Sequence, residues 1–205
     1  MGDSRQTLSV TAMALTRALD AEAVDVEIDG KRLSFAFSVD STEHQRRCAA
    51  DAGAVTSTGM LHGLWLLPSG GTVPAAEIPP RKRARFRSGP TWVREGLGGF
   101  ERLYSPAGVV IAAAVRRARY RDAIRVAAAL PPIFDRYVVV SPDCDACDAT
   151  SEAEQVGVGV IVSGSDPEVV VKPDASVTGR PAVYRWWIAE LAYARWIQLN
   201  AQPVS

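Results

Sequence analysis

Apolar positions along the chain alternate between two periods. From Thr7 to Ala21, Leu8, Ala12, Leu15 and Leu19 recur at helical spacing. Val24 to Ile28 and Arg32 to Val39 then alternate as strands do, and the Asp29-Gly30 pair between them favours the positive-φ turn of a tight hairpin. Ser41 or Thr42 is placed to cap a short helix through Ala50, with Glu43 in its first turn. Val55 to Thr58 reads as another strand, and Leu61 to Leu67 as a short apolar run. Between Pro68 and Pro90 prolines and glycines surround a basic run, which predicts a long connection or a pair of short edge strands. Trp92 to Tyr104 reads as a short helix interrupted by Gly96, Gly98 and Gly99.

The second half is more regular. Val109 to Arg116 is strand-like, Tyr120 to Leu130 is helical, and Pro131-Pro132 stops that helix. Tyr137 to Val140 is a short β-branched strand, followed by an acidic loop from Pro142 to Glu154. Val156 to Val162 and Val169 to Val171 form a hairpin around Gly164, and Pro181 to Leu199 is a strong helix. These elements predict a mixed α/β fold: a central mixed sheet with flanking helices and a C-terminal amphipathic helix. They divide into an α/β region over residues 1–67, a basic Pro/Gly-rich connection over 68–90, and a second α/β region over 91–205.

Composition narrows the function classes. The chain has 205 residues, of which 47% are hydrophobic and 22% charged, ordinary proportions for a protein with a real core. Lys plus Arg and Asp plus Glu both number 23, so there is no whole-molecule basic field, and any nucleic-acid contact must come from a local patch. No apolar run reaches the roughly 20 residues that span a bilayer, and Met1 to Leu19 lacks a signal-peptide core. Three cysteines are an odd number for a disulfide framework. The expectation is a cytoplasmic protein with no membrane contact and no cofactor.

Two basic groups carry candidate chemistry. Arg81, Lys82, Arg83, Arg85 and Arg87 put five cations in seven residues around Phe86, a pattern that neutralises phosphates while an aromatic stacks on a base. The bland reading is a solvated loop balancing acidic surface elsewhere. Arg116, Arg117, Arg119 and Arg121 form the second group. Cys144 and Cys147 have the spacing of half a zinc site, which His44 and Cys48, four residues apart, would complete; a mobile acidic loop and a packed Cys48 is the alternative. There is no Gly-x-Ser-x-Gly elbow and no Walker-type loop, so no catalytic residue is assigned. The C-terminal helix carries Trp186, Trp187, Tyr193 and Trp196; Trp187 and Leu191 are assigned to the core and Trp186 to an interface.

Three stretches carry a resemblance: Tyr120-Arg121-Asp122-Ala123 at the helix start, Phe134-Asp135-Arg136-Tyr137-Val138-Val139, and Val156-Gly157-Val158-Gly159-Val160. Together with the strand before them they resemble the core of PD-(D/E)XK nuclease-fold proteins, over about a quarter of the chain. The resemblance implies a restriction-endonuclease-like core. It also places the family's Glu-x-Lys on Ala114-Val115-Arg116, its upstream Asp near Ser105 to Gly108, and its helix Gln on Val126. Such nucleases hold Mg²⁺ between carboxylates and phosphate. Alanine cannot ligate a hard cation, whereas arginine still binds phosphate. The implied function is therefore a non-catalytic nuclease-like protein binding DNA or a DNA-processing partner. Arg81, Lys82, Arg83, Arg85, Arg87, Arg116, Arg119 and Arg121 would be the contacts. The alternatives are a scaffold subunit or homo-oligomer joined through the aromatic helix, and an active metal-dependent nuclease with displaced carboxylates. A small-molecule enzyme using Glu95 or Glu101 is a further option.

Overall fold

The computed structural model describes residues 8–88, 92–142, 146–176 and 182–200. The fold is mixed α/β, with a six-stranded sheet, a three-stranded sheet and helices around them. The chain forms two compact units: residues 1–38, 110–180 and 195–205, and residues 39–109 and 181–194. This grouping follows contacts and is discontinuous in sequence, unlike the ranges 1–67, 68–90 and 91–205.

In the first unit, helix α1 (Val10–Leu19) is capped by Ser9, whose side chain accepts from the Ala12 amide. Strands β1 (Glu22–Ile28) and β2 (Lys31–Val39) form the expected hairpin, with Asp29 and Gly30 at φ of 50° and 70°. The chain returns to this sheet in β6 (Gly108–Val115), crosses through α5 (Tyr120–Ala128) to β7 (Asp135–Val140), then through α6 (Ala146–Glu154) to β8 (Gly159–Val162) and β9 (Glu168–Val171). The strand order is β1-β2-β6-β7-β8-β9. The β6–β7 and β7–β8 pairs are parallel, which is why each needs a helical crossover, and β8–β9 is antiparallel. The acidic loop expected over Pro142 to Glu154 is instead helical from Ala146 onward. Ala149 and Ala153 recur at i and i+4 and are fully buried, so two small apolar residues were enough to hold a helix on the sheet.

One core cluster joins Ala12, Ala14 and Leu15 of α1 to Ala112 and Ala114 of β6, Tyr137 and Val139 of β7, and Ile161 of β8. The alanines of β6 keep the helix close to the sheet. Glycines serve the same packing in β8. Gly159 pairs with Tyr137, and a Cβ there would stand 2.6 Å from the Tyr137 ring.

In the second unit, α2 (Ser41–Ala49) is capped by Asp40, one residue before the two expected caps. The strand expected at Val55 to Thr58 does not form. Ser57 caps helix α3 (Thr58–Leu64), and Leu61, Leu64 and Leu67 are fully buried at helical spacing. Strand β3 (Thr72–Val73) and a 3₁₀ turn at Ala75–Glu77 lead to α4 (Pro80–Ser88). The basic run is therefore a helix, neither connection nor edge strands. Pro80 occupies its first position, where the missing N–H costs nothing, and the arginines, Lys82 and Ala84 are good helix formers.

The helix expected over Trp92 to Tyr104 is also wrong. Strands β4 (Val93–Gly96) and β5 (Gly99–Arg102) pair antiparallel, and β3 adds to β5. The glycines mark the turn, and Gly99 has a further reason to be glycine: at φ 130° a Cβ would stand 2.1 Å from the Val73 carbonyl oxygen. Helix α7 (Ala182–Asn200) completes this unit with its first part, placing Val183 and Trp186 in a core with Leu61, Leu64, Phe86, Trp92 and Phe100. Among the described residues no helix is long and apolar enough to cross a membrane.

Candidate functional site

The first unit opens a crevice of about 470 Å³ where β6 and β7 end. Its walls come from three separate pieces of chain. Ser9, Val10 and Thr11 begin α1, Arg116 and Arg117 follow β6, and Val140 and Ser141 close β7. Tyr120, the first residue of α5, completes it. A smaller recess of about 280 Å³ lies on the other side of Val10, lined by Met13, Arg17, Pro142 and Ser163. The carboxyl ends of parallel strands are where open α/β sheets place ligands, because crossover connections diverge there and expose helix starts.

The electrostatics of the crevice are one-sided. Arg116 and Arg117 are exposed, and no carboxylate is among the described lining residues. Arg117 donates through Nη1 to the Arg116 carbonyl. Helix α5 has Arg119 at its N-cap, with no side-chain hydrogen bond to the first turn. Helix α1 is different. The Asp25 carboxylate accepts from the Ser9 amide at 3.0 Å and the Ser9 hydroxyl at 2.7 Å, and also from Ser34 and Arg32. Burial works to raise the Asp25 pKa, but the hydrogen bonds from Ser34, Ser9 and Arg32 outweigh it and hold the carboxyl below its ordinary value. A carboxylate thus already answers the positive end of α1. Asp122 likewise stands in the first turn of α5, so attraction for an anion falls chiefly to the two arginines.

Of the predicted contacts in this group, Arg116 lines the crevice and Arg119 and Arg121 do not. Arg121 lies over the Tyr120 ring and pairs with Glu152 at 3.2 Å. Arg117, named in the sequence group but absent from the implied contact set, is a lining residue. Ala114, two residues before Arg116, is fully buried in the core under α1.

The second basic group belongs to the other unit. Arg81, Arg85 and Arg87 are exposed on α4, while Lys82 and Arg83 are half-buried. Arg87 pairs with Glu95 at 2.5 Å. The Arg85 guanidinium packs on Gly59. Phe86, expected to stack on a base, is buried 5.7 Å from Phe100.

The sequence also hid a buried charge network in the second unit. Arg47 is fully buried, and all five guanidinium N–H groups have acceptors. Nη1 and Nη2 meet the two Glu190 oxygens at 2.7 and 2.8 Å, Nε meets Glu43 at 3.0 Å, and the carbonyls of Gly53 and Ser105 take the remaining two. Trp92 and Tyr193 lie over the guanidinium at 5.1 and 5.2 Å. Burial works to lower the Arg47 pKa, and Glu190 and Glu43 outweigh it, so the group stays charged. Glu190 in turn accepts from the amides of Val55 and Ala107 and from Trp186 Nε1. This network has no open face and organises the core rather than a ligand.

Trp186, expected at an interface, is buried at 2% exposure in the core; Trp187 packs against that core half-buried and donates to the Thr56 carbonyl, and Leu191 is also half-buried. His44 and Cys48 do share one face of α2, and Tyr193 OH lies 2.9 Å from His44 Nδ1. The Cys48 sulfur is 3.6 Å from His44 Nε2 and 3.7 Å from Nδ1. Cys144 and the side chain of Cys147, half of the expected four-ligand zinc site, lie outside the described residues. Among the described residues no three His, Cys, Asp or Glu side chains gather to hold a metal. Glu95 and Glu101 are ion-paired to Arg87 and Arg94 on the small sheet and line neither crevice.

No protein-family model, no curated protein and no solved structure matches this chain.

Proposed function

We propose that this chain is a non-catalytic, nuclease-fold-like protein that binds nucleic acid, with DNA as the first candidate, through cationic side chains at the carboxyl edge of its large sheet. The observation that carries the reading is the pairing of Arg116 and Arg117 on the crevice with Ala114 two residues earlier in the apolar core. A carboxylate at 114 would be needed to hold a metal, and the position instead packs against α1. The segments behind the nuclease resemblance support it further. They are neighbours in one sheet, running β6-α5-β7 and then in parallel to β8. Arg81 and Arg85 on α4 are a second cationic surface, carried by the other unit.

The test is fluorescence anisotropy with labelled single- and double-stranded oligonucleotides across a salt series. Each phosphate neutralised lowers the log-log salt slope by roughly 0.9 for duplex and 0.7 for single strands. The two crevice arginines give a slope of about −1.8 for duplex and about −1.4 for single strands. Binding that ignores salt, or none at 50 mM salt, refutes the reading.

A further inference from the structure

We infer that the crevice at the ends of β6 and β7 takes a phosphate monoester, the dianionic group of a nucleic-acid end or of a free nucleotide, rather than an internal phosphodiester. The inference rests on the anion-binding reading above and specifies its ligand.

An internal diester carries one negative charge and belongs to a polymer that must enter and leave the site. A monoester carries about 1.5 to 2 negative charges at neutral pH and three strong acceptor oxygens. Arg116 and Arg117 bring two full positive charges to one concave site with no described carboxylate in its wall. Two guanidinium groups balance a dianion and overcompensate a diester. The first N–H groups of α5 have no side-chain cap, although Asp122 stands in the same turn, and the hydroxyl residues Thr11 and Ser141 line the crevice beside the arginines. The crevice is a pocket of small-ligand size, within the range of sites that enclose most of a nucleotide-sized molecule. Beyond Val10 the recess sets Met13, Ala14 and Pro142 beside Arg17 and Ser163, a mostly apolar surface for the less polar body that carries the phosphate.

The experiment uses the full chain in two arms. Calorimetry with inorganic phosphate, AMP and adenosine reads the free ligand. Anisotropy with one oligonucleotide bearing either a 5′-phosphate or a 5′-hydroxyl reads the polymer end. The expected result is that AMP binds and adenosine does not, that the phosphorylated end binds at least tenfold tighter, and that R116Q/R117Q abolishes both differences. Both residues are exposed, so the double variant should melt with the wild type; R116K/R117K, which keeps the charge, should retain part of the affinity. AMP and adenosine binding alike, or phosphate discrimination surviving R116Q/R117Q, overturns the inference. Oligonucleotides binding with strong salt dependence but without regard to their ends overturns it while leaving the nucleic-acid reading intact. AMP binding through the arginines with no oligonucleotide binding at all supports the monoester site and defeats the nucleic-acid reading.

Discussion

Replacing Arg47 by methionine removes the centre of the buried network and nothing on the surface. The side chain is fully buried, and it faces Glu190 and Glu43, themselves 0% and 3% exposed. The variant keeps the volume and deletes the charge, leaving two carboxylates without their common partner. Removing one member of a buried ion pair costs about 3–5 kcal/mol. Against a total stability of about 5–15 kcal/mol, that is a large fraction. Urea denaturation followed by tryptophan fluorescence reads it directly, because Trp92 lies over the guanidinium and Trp186 donates to Glu190. With an m-value near 2 kcal/mol/M, the midpoint should fall by about 1.5–2.5 M. The network also makes a second-order prediction. Replacing all three charged residues by apolar ones often restores stability in buried triads. Here it should not, because the amides of Val55, Ala107 and Ser105 and the indole N–H of Trp186 would lose their acceptors. Each orphaned donor costs about 1–3 kcal/mol. A loss below about 1 kcal/mol in Arg47→Met, or full recovery in Arg47→Met/Glu43→Leu/Glu190→Leu, would refute this reasoning.

Three further outcomes are expected. Ala114→Glu should cost roughly 3 kcal/mol or more by burying an unpaired charge beneath α1; a plasmid-nicking assay with Mg²⁺ or Mn²⁺ should stay blank, and cleavage by this variant would reveal a metal site there. Gly99→Ala should cost more than about 1 kcal/mol, since the added Cβ meets the Val73 carbonyl at an unfavourable φ; an unchanged melting temperature would show that β3 moves freely. Asp25 has a folded pKa below its unfolded value, so its contribution is present above the unfolded value, near 3.9, and is lost as pH falls through the folded one. Asp25→Asn should therefore lower stability at neutral pH and flatten the acid limb below about pH 4, measured by thermal melts across pH; a parallel curve would remove Asp25 from the linkage.

Local chemistry was legible where it decides structure locally. Asp29-Gly30 announced its hairpin because few other pairs accept positive φ twice. The strand-helix-strand run through Val109 to Val140 was legible because its apolar periods are clean. The basic run misled because its prolines and charges look like a connection, while only Phe86 and Ile78 signal the side that is buried. The glycine cluster at 96–99 looked like a weak helix because the reason for Gly99, the Val73 backbone, lies in another strand. The crevice was half visible. Arg116 stood out as a charge after an apolar strand, but the start of α1 and the end of β7 are remote from it in sequence. The network left two faint traces: Glu43 and Arg47 one helical turn apart, and Glu190 alone in the apolar stretch from Trp186 to Tyr193.

That last pairing sets a schedule for synthesis. Glu190 follows Arg47 by 143 positions. At about 5–20 residues per second, roughly 7–30 seconds pass between the two. Throughout that interval α2 is available but its arginine lacks the carboxylate that makes burial tolerable, and the aromatic and leucine side chains around it have no closing helix. The second unit thus cannot complete its buried network until residue 190 has been made, and a nascent chain stalled before residue 190 should be degraded faster than one stalled after it.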